Sequence, residues 1–161
     1  MMNKIKGFKA YINMMDQFGN KYELDKEYSQ SGDIKFGASG YHFCTHIADV
    51  FRYYDGHDEN INICEVEGSG KINKYDDEYN EYFDMYSCSN LKILKILSRQ
   101  EIIDESLHEN IYQVLRLIQG FKLTDEELTY ITNECPESIV KKYASYYQKD
   151  KKDAFQRKRK W

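Results

Sequence analysis

One proline in 161 residues, one tryptophan and nine glycines leave no room for a polyproline, collagen-like or low-complexity chain, and apolar residues spread along the whole length exclude a disordered one. No uncharged apolar run approaches the roughly 18 residues that a membrane span requires. The opening "MMNKIKGFKAYINMM" lacks the apolar stretch and small-residue cleavage site of a secretory leader. The chain is therefore expected to be soluble, intracellular and away from membranes. Its four cysteines, Cys44, Cys64, Cys88 and Cys135, are widely separated with no CxxC pair, and in a reducing compartment they are expected to be free, mostly buried thiols. There is no fixed-period repeat and no Pro-, Gly- or Ser-rich linker. One domain of this length, with or without an appended helical piece, buries enough surface to fold without staples.

What is present is unevenly distributed. The net charge of −4 hides ten acidic residues against two lysines between Asp55 and Asp84, and seven basic residues against two aspartates in the final "KDKKDAFQRKRKW". Arg157, Lys158, Arg159 and Lys160 would be the contacts of a nucleic-acid-binding tail, but charge runs at termini are more often solvated, fraying helix ends, so a nucleic-acid partner is disfavoured. Fifteen tyrosines accompany abundant lysine, isoleucine and asparagine. All four have AT-rich codons, a cheaper explanation than a base-stacking surface.

Along the chain, "KIKGFKAYI" and "KYEL" suit short strands, and "YSQSGDIKFGASGYHFC" offers extended pieces broken at glycines. From Ile47 the period changes: Ile47, Val50, Phe51 and Tyr54 mark one helical face, with Thr45 as N-cap and Asp55-Gly56 as the stop. "INICEV" predicts a strand, "GSG" a hairpin turn and "KINKY" its return, while "DDEYNEYFDMYSCSN" has no period and is expected to be a surface excursion. "LKILKIL" closes the sheet. Ser98 and Glu101 then form a capping-box pattern opening a helix whose face runs from Ile102 to Ile118 and stops at Gly120. A second capping box, Thr124 to Glu127, opens another. Pro136 is placed to begin a last one, with Ile139, Val140, Tyr143, Tyr146 and Tyr147 as its apolar face. The expectation is an α+β protein: residues 1–97 a mostly antiparallel sheet with one inserted short helix, residues 98–161 a set of about three helices packed on that core or extending from it.

Several constellations have the residue types of chemistry. His42, Cys44 and His46 alternate, so a strand would aim them to one side, and zinc would need a fourth ligand such as His57 or Cys64. Helix onset at Thr45 would rotate His46 away. Cys44 precedes a helix between two histidines, the setting of an activated thiol, yet a small buried hydrophobe is the plainer role. "GSGKIN" departs from a phosphate loop at the residue after lysine. Glu65 and Glu67 alternate on a strand and would serve an acid–base pair only in an environment that raises one pKa. No metal or other cofactor is expected.

The order "GYHFC" (40–44), "DVFRYY" (49–54) and "ICEVEGSGKI" (63–72), with "GFKAY" near the start and "LKILKILSRQEI" closing the sheet, resembles an uncharacterised domain family of phages and giant DNA viruses, its giant-virus branch especially. The resemblance spans roughly residues 5–104. It implies an accessory or host-interaction role in the cytoplasm of an infected cell, and brings no assigned activity.

Three functions follow as expectations. The leading one is a non-enzymatic interaction module whose C-terminal helix, through Tyr143, Tyr146 and Tyr147, meets a protein partner or a second copy of the chain as a homodimer. The second is an ADP-ribosyltransferase-like enzyme with Tyr41, His42, Thr45 and Glu65 or Glu67 contacting NAD, or His42, Cys44, Glu65 and Glu67 as catalytic groups. The third is nucleic-acid binding by the basic tail.

Overall fold

The computed structural model of the chain describes residues 3–35, 37–75 and 84–147. Strands β1 (Ile5–Ile12), β2 (Glu27–Ser29) and β3 (Tyr41–Cys44) lead into a 3-10 helix (Ile47–Arg52), followed by long strands β4 (Ile61–Lys74) and β5 (Met85–Ile96). Helices α1 (Arg99–His108), α2 (Ile111–Gly120) and α3 (Asp125–Glu134) come next, and residues 138–147 form a fourth, α4. The architecture is α+β, as the strand-then-helix order predicts. Among the described residues no helix is long and apolar enough to cross a membrane.

The strands pair antiparallel in the order β2-β5-β3-β1-β4, and β5 also pairs β4, so four strands close into a ring. Alternation along β4 explains both faces of that ring. Cys64 and Val66 meet Phe43, Cys88, Leu91, Ile93 and Tyr11 inside it, whereas Ile61 and Ile63 point outward with Ala10, Cys44 and Met85. The helices cover the outward face: Ile103, Val114, Leu117, Leu128, Ile131 and Val140 share one core with it. The ring's interior is narrow. The ring of Phe43, 1% exposed, fits only because Gly7 and Gly68 flank it; a Cβ at Gly68 would lie 2.5 Å from Phe43 Cε1, and one at Gly7 2.5 Å from its Cδ2.

Five expectations need correction. "KYEL" is not a strand: Lys21 makes an isolated bridge with Met15, and β2 begins at Glu27. "GSG" is not a turn: β4 runs straight through it, and Gly70 at φ +77° absorbs a bulge between Ser69 and Ile72. A side chain there would collide with Ser89 Oγ, which instead accepts the Lys71 N–H. The supposed surface excursion is strand from Met85 onward, paired with both β3 and β4. The inserted helix is a six-residue 3-10 segment capped at His46, not Thr45, whose N–H pairs with the Asp84 carbonyl. The long helix divides at Glu109, because the Asn110 side chain accepts the Gln113 N–H and starts α2 afresh.

Both capping boxes form as read, at Ser98–Glu101 and Thr124–Glu127. Pro136 lies just outside α4, whose first turn is closed by Val140 and Lys141 N–H groups on the Glu137 carbonyl. On α4, Val140 and Ala144 are buried, Tyr143 and Tyr147 are half-buried against the core, and Ile139 and Tyr146 are exposed.

Candidate functional site

β1 pairs β4 along its full length, from Ile5 opposite Gly68 to Ile12 opposite Ile61, but meets β3 at one position, Phe8 opposite Cys44. Beyond Phe8 the two strands part. The seam would leave the His42 carbonyl without a ladder partner, and Lys9 supplies one: its Nζ donates to that oxygen at 2.7 Å. Tyr22, from the loop after β1, enters the gap. Its ring stacks on Tyr11 (4.6 Å between centroids) and meets Tyr41 edge-on (6.5 Å). Asp16 fixes that loop, accepting from Phe18 N, from Asn20 N and Nδ2, and from Tyr22 OH. Burial resists ionisation of Asp16, but those hydrogen bonds prevail and hold its carboxyl below the usual range.

The parted strands leave a half-open cleft of about 630 Å³, floored by Phe8, Ala10, Cys44 and Val50, walled by Tyr41, His42, Tyr53 and Tyr54, and rimmed by Asp16 and Asp55. Its lining is mostly apolar, and Lys9 is its cationic side chain. Burial pulls the Lys9 amine down to about 8 from the ordinary lysine value of 10.5. His42 Nε2 accepts the Gly37 N–H at 2.8 Å, which leaves the imidazole neutral with its proton on Nδ1; burial, then the nearby Lys9 charge, lowers its pKa.

The sequence-selected residues do not converge here. His42 and Cys44 both line the cleft, but Cys44 is 2% exposed at its floor, and burial, reinforced by Asp49, pushes its thiol up to about 12. His46 leaves the strand direction, its Nδ1 lying 2.9 Å from Glu109 Oε2 and its Nε2 3.9 Å from Asp84 Oδ2. Among the described residues no three His, Cys, Asp or Glu side chains are grouped to hold a metal ion. Glu65 sits in the same outward row as Cys44 with Phe8 between them, so about two strand spacings, on the order of 10 Å, separate the pair. It faces α1 and Lys6, and Glu67 pairs with Lys4 at 3.2 Å. Tyr41 and His42 therefore share a site from which Glu65 and Glu67 are absent. Of the tyrosines on α4, Tyr146 is 63% exposed and packs edge-on against Tyr147. Arg157, Lys158, Arg159 and Lys160 lie outside the described residues.

Sequence reasoning missed Lys9, which is unremarkable text in "GFKAY", and a buried polar knot between the 3-10 helix and α2. Gln113 reaches both ways, its Oε1 accepting the Ala48 N–H (3.0 Å) and its Nε2 donating to Asp49 Oδ1 (3.1 Å). Arg116 and Arg52 approach the same carboxylate oxygen at 3.4 and 3.8 Å. Burial raises the Asp49 pKa, and the Gln113 hydrogen bond opposes that rise. The knot is enclosed and ties the wall of the cleft to the helical layer, a positioning task.

A closed antiparallel sheet, a helical layer on its outer face and an amine-bearing cleft in the poorly paired seam between β1 and β3 define a small α+β protein. Over residues 5–105 the chain matches a domain of unknown function, DUF7666, and it belongs to that family. No curated protein and no solved structure matches it. Every cleft residue lies within the matched span, whereas α2, α3 and α4 lie beyond it and contribute much of the outer core.

Proposed function

We infer that the chain is a non-enzymatic binding module whose ligand is a small molecule, or one inserted side chain of a partner, held in the seam cleft. The observation that carries this reading is the cleft itself: it falls within the roughly 300–1,000 Å³ typical of ligand sites, its walls are aromatic, and its polar groups are few. The candidate nucleophile Cys44 is a buried, high-pKa thiol, and the two glutamates occupy other surfaces, which favours binding over catalysis. Richness in lysine, isoleucine, asparagine and tyrosine, together with the quoted motifs, supports an accessory role in a giant-virus-infected cell.

The test uses a neutral aromatic probe, N-phenyl-1-naphthylamine, followed by fluorescence and by two-dimensional amide spectra. Saturable binding that shifts the Ala10, His42 and Tyr54 amides is expected. A probe that binds nowhere, or shifts only amides remote from the seam, overturns the reading.

A second reading, self-association through α4, rests on Tyr146 standing 63% exposed on the same helix as an exposed Ile139. Shortening the chain to the sheet would strip the outer core of Val114, Leu117, Leu128 and Val140, so a point variant is the proper test. Sedimentation of the whole chain should show a dimer that Tyr146→Ser weakens; a monomer at high concentration ends this reading.

A further inference from the structure

Six lysines at the surface, Lys4, Lys6, Lys26, Lys74, Lys95 and Lys122, each reach a carboxylate of the fold. Lys9, far less solvated than any of them, reaches none. Among the described residues it makes one hydrogen bond, to the His42 carbonyl, and lies over the Tyr11 ring at 5.6 Å. An ammonium has three N–H groups to satisfy, and a buried charge is ordinarily paired. Asp16 acts on the amine through its charge alone, because its oxygens accept hydrogen bonds from Asn20, Tyr22 and Phe18. A neutral donor would satisfy the His42 carbonyl equally well, so the strand seam alone does not account for a charged side chain at this depth.

The geometry points to the Lys9 ammonium as the recognition group for an acid: the cleft takes a flat, apolar carboxylate whose head pairs with Lys9 while its body lies among the rings of Tyr41, Tyr53 and Tyr54. Lys9, the one lysine or arginine among the described residues lining the cleft, and the acidic rim at Asp16 and Asp55 select a monoanion over a phosphate dianion. This inference rests on the cleft being a binding site, and it specifies the chemistry of what binds.

Titratable groups from each neighbouring element face the amine: Tyr11 on its own strand, Cys64 directly opposite on β4, His42 and Cys44 on β3, Cys88 on β5 and Asp16 in the loop to β2. Burial holds the thiols of Cys44, Cys64 and Cys88 at about 12, 12 and 11 and lifts the Tyr11 phenol above its usual value, so between pH 7 and 9 the amine is the group that changes charge. Its affinity for an anion should fall across that interval.

The experiment compares two fluorophores of similar shape, 8-anilino-1-naphthalenesulfonate and the neutral N-phenyl-1-naphthylamine, with the whole chain and with Lys9→Met, folding being checked by circular dichroism. We expect the anion to bind at least about tenfold more tightly than the neutral probe, the worth of one charge-assisted hydrogen bond. Lys9→Met should erase that preference and spare the neutral probe. From pH 7 to 9 the anion's affinity should decline while the neutral probe's holds, and 2-naphthoate should displace the anion. Equal binding of both probes, an anion preference that survives Lys9→Met, or displacement by 2-naphthyl phosphate more readily than by 2-naphthoate overturns the assignment yet leaves a binding cleft. Failure of both probes to bind removes the cleft reading as well.

Discussion

Replacing Lys9 by methionine should make the protein more stable at neutral pH, an uncommon outcome for a half-buried side chain that makes a good hydrogen bond. At pH 7 the amine is protonated in folded and unfolded chains alike, and the depression of its pKa from 10.5 to about 8 means that holding the charge in the seam costs about 3 kcal/mol. Methionine keeps the apolar stem and removes that cost, but it strands the His42 carbonyl, a loss of about 1–2 kcal/mol. The net expectation is a gain of about 1–2 kcal/mol in the variant. The sign then depends on pH. Between about pH 8 and the ordinary lysine range the unfolded wild-type chain binds more protons than the folded one, so wild-type stability rises relative to the variant by about 1.4 kcal/mol per pH unit. The two should cross near pH 9 and invert beyond it. Urea denaturation at half-unit steps from pH 6.5 to 10, with both chains at each step, cancels every other titration. A stability difference that stays flat across that range would refute a desolvated amine and reduce Lys9 to a solvated staple.

Gly68→Ala should destabilise by about 1–3 kcal/mol in urea, since the new methyl meets the Phe43 ring at 2.5 Å, and adding Phe43→Leu should recover part of the loss; an additive pair would mean that the two do not touch. Gln113→Leu should cost about 2–4 kcal/mol by leaving the buried Ala48 N–H without its acceptor and Asp49 Oδ1 without its hydrogen-bond donor, with only the longer approaches of Arg116 and Arg52 remaining, and a cost under about 0.5 kcal/mol would show the knot to be dispensable. Burial keeps the Cys44, Cys64 and Cys88 thiols at about 12, 12 and 11, so an aromatic disulfide reagent at pH 8 should titrate one thiol, half-buried Cys135, quickly and the other three only on unfolding. Rapid loss of two or more thiols would contradict the packing of the ring.

The parts of this fold that sequence discloses are those encoded within a few residues. Ser98 with Glu101 and Thr124 with Glu127 each carry a complete instruction for a helix start, and both form. The division at Glu109 is hidden because Leu107, Ile111 and Val114 keep helical spacing across it, although the Asn110 side chain starts α2 afresh. The bulge at Gly70 resembles a hairpin turn for a related reason, a positive-φ glycine serving either, and only the pairing of Lys74 with Tyr86 decides between them. The histidines, Cys44 and the glutamates drew attention by residue type. Lys9 did not, since its role arises from where β3, thirty-odd residues away, declines to pair. The Asp49 knot depends likewise on Gln113, remote in sequence and neighbouring only after the helices dock.

The seam stays open for a reason that also bears on binding. β1 is committed to β4 by eight consecutive pairs and β3 to β5 by four, while a single pair joins β1 to β3. Zipping the seam past Phe8 would bring Ala10 toward His42 and Tyr11 toward Tyr41, and Tyr22 stands between those last two rings, anchored by Asp16. To close it, the fold would have to expel a ring that is 7% exposed and break the Asp16 loop. The cleft is thus wedged open by the same residues that line it. A ligand entering it incurs little of the ordering cost that usually offsets contact energy. The wedge, the seam and the amine all fall within residues 5–105, so the DUF7666 segment holds every residue of the cleft, and it is α2 that reaches the adjoining 3-10 helix through the Asp49 knot.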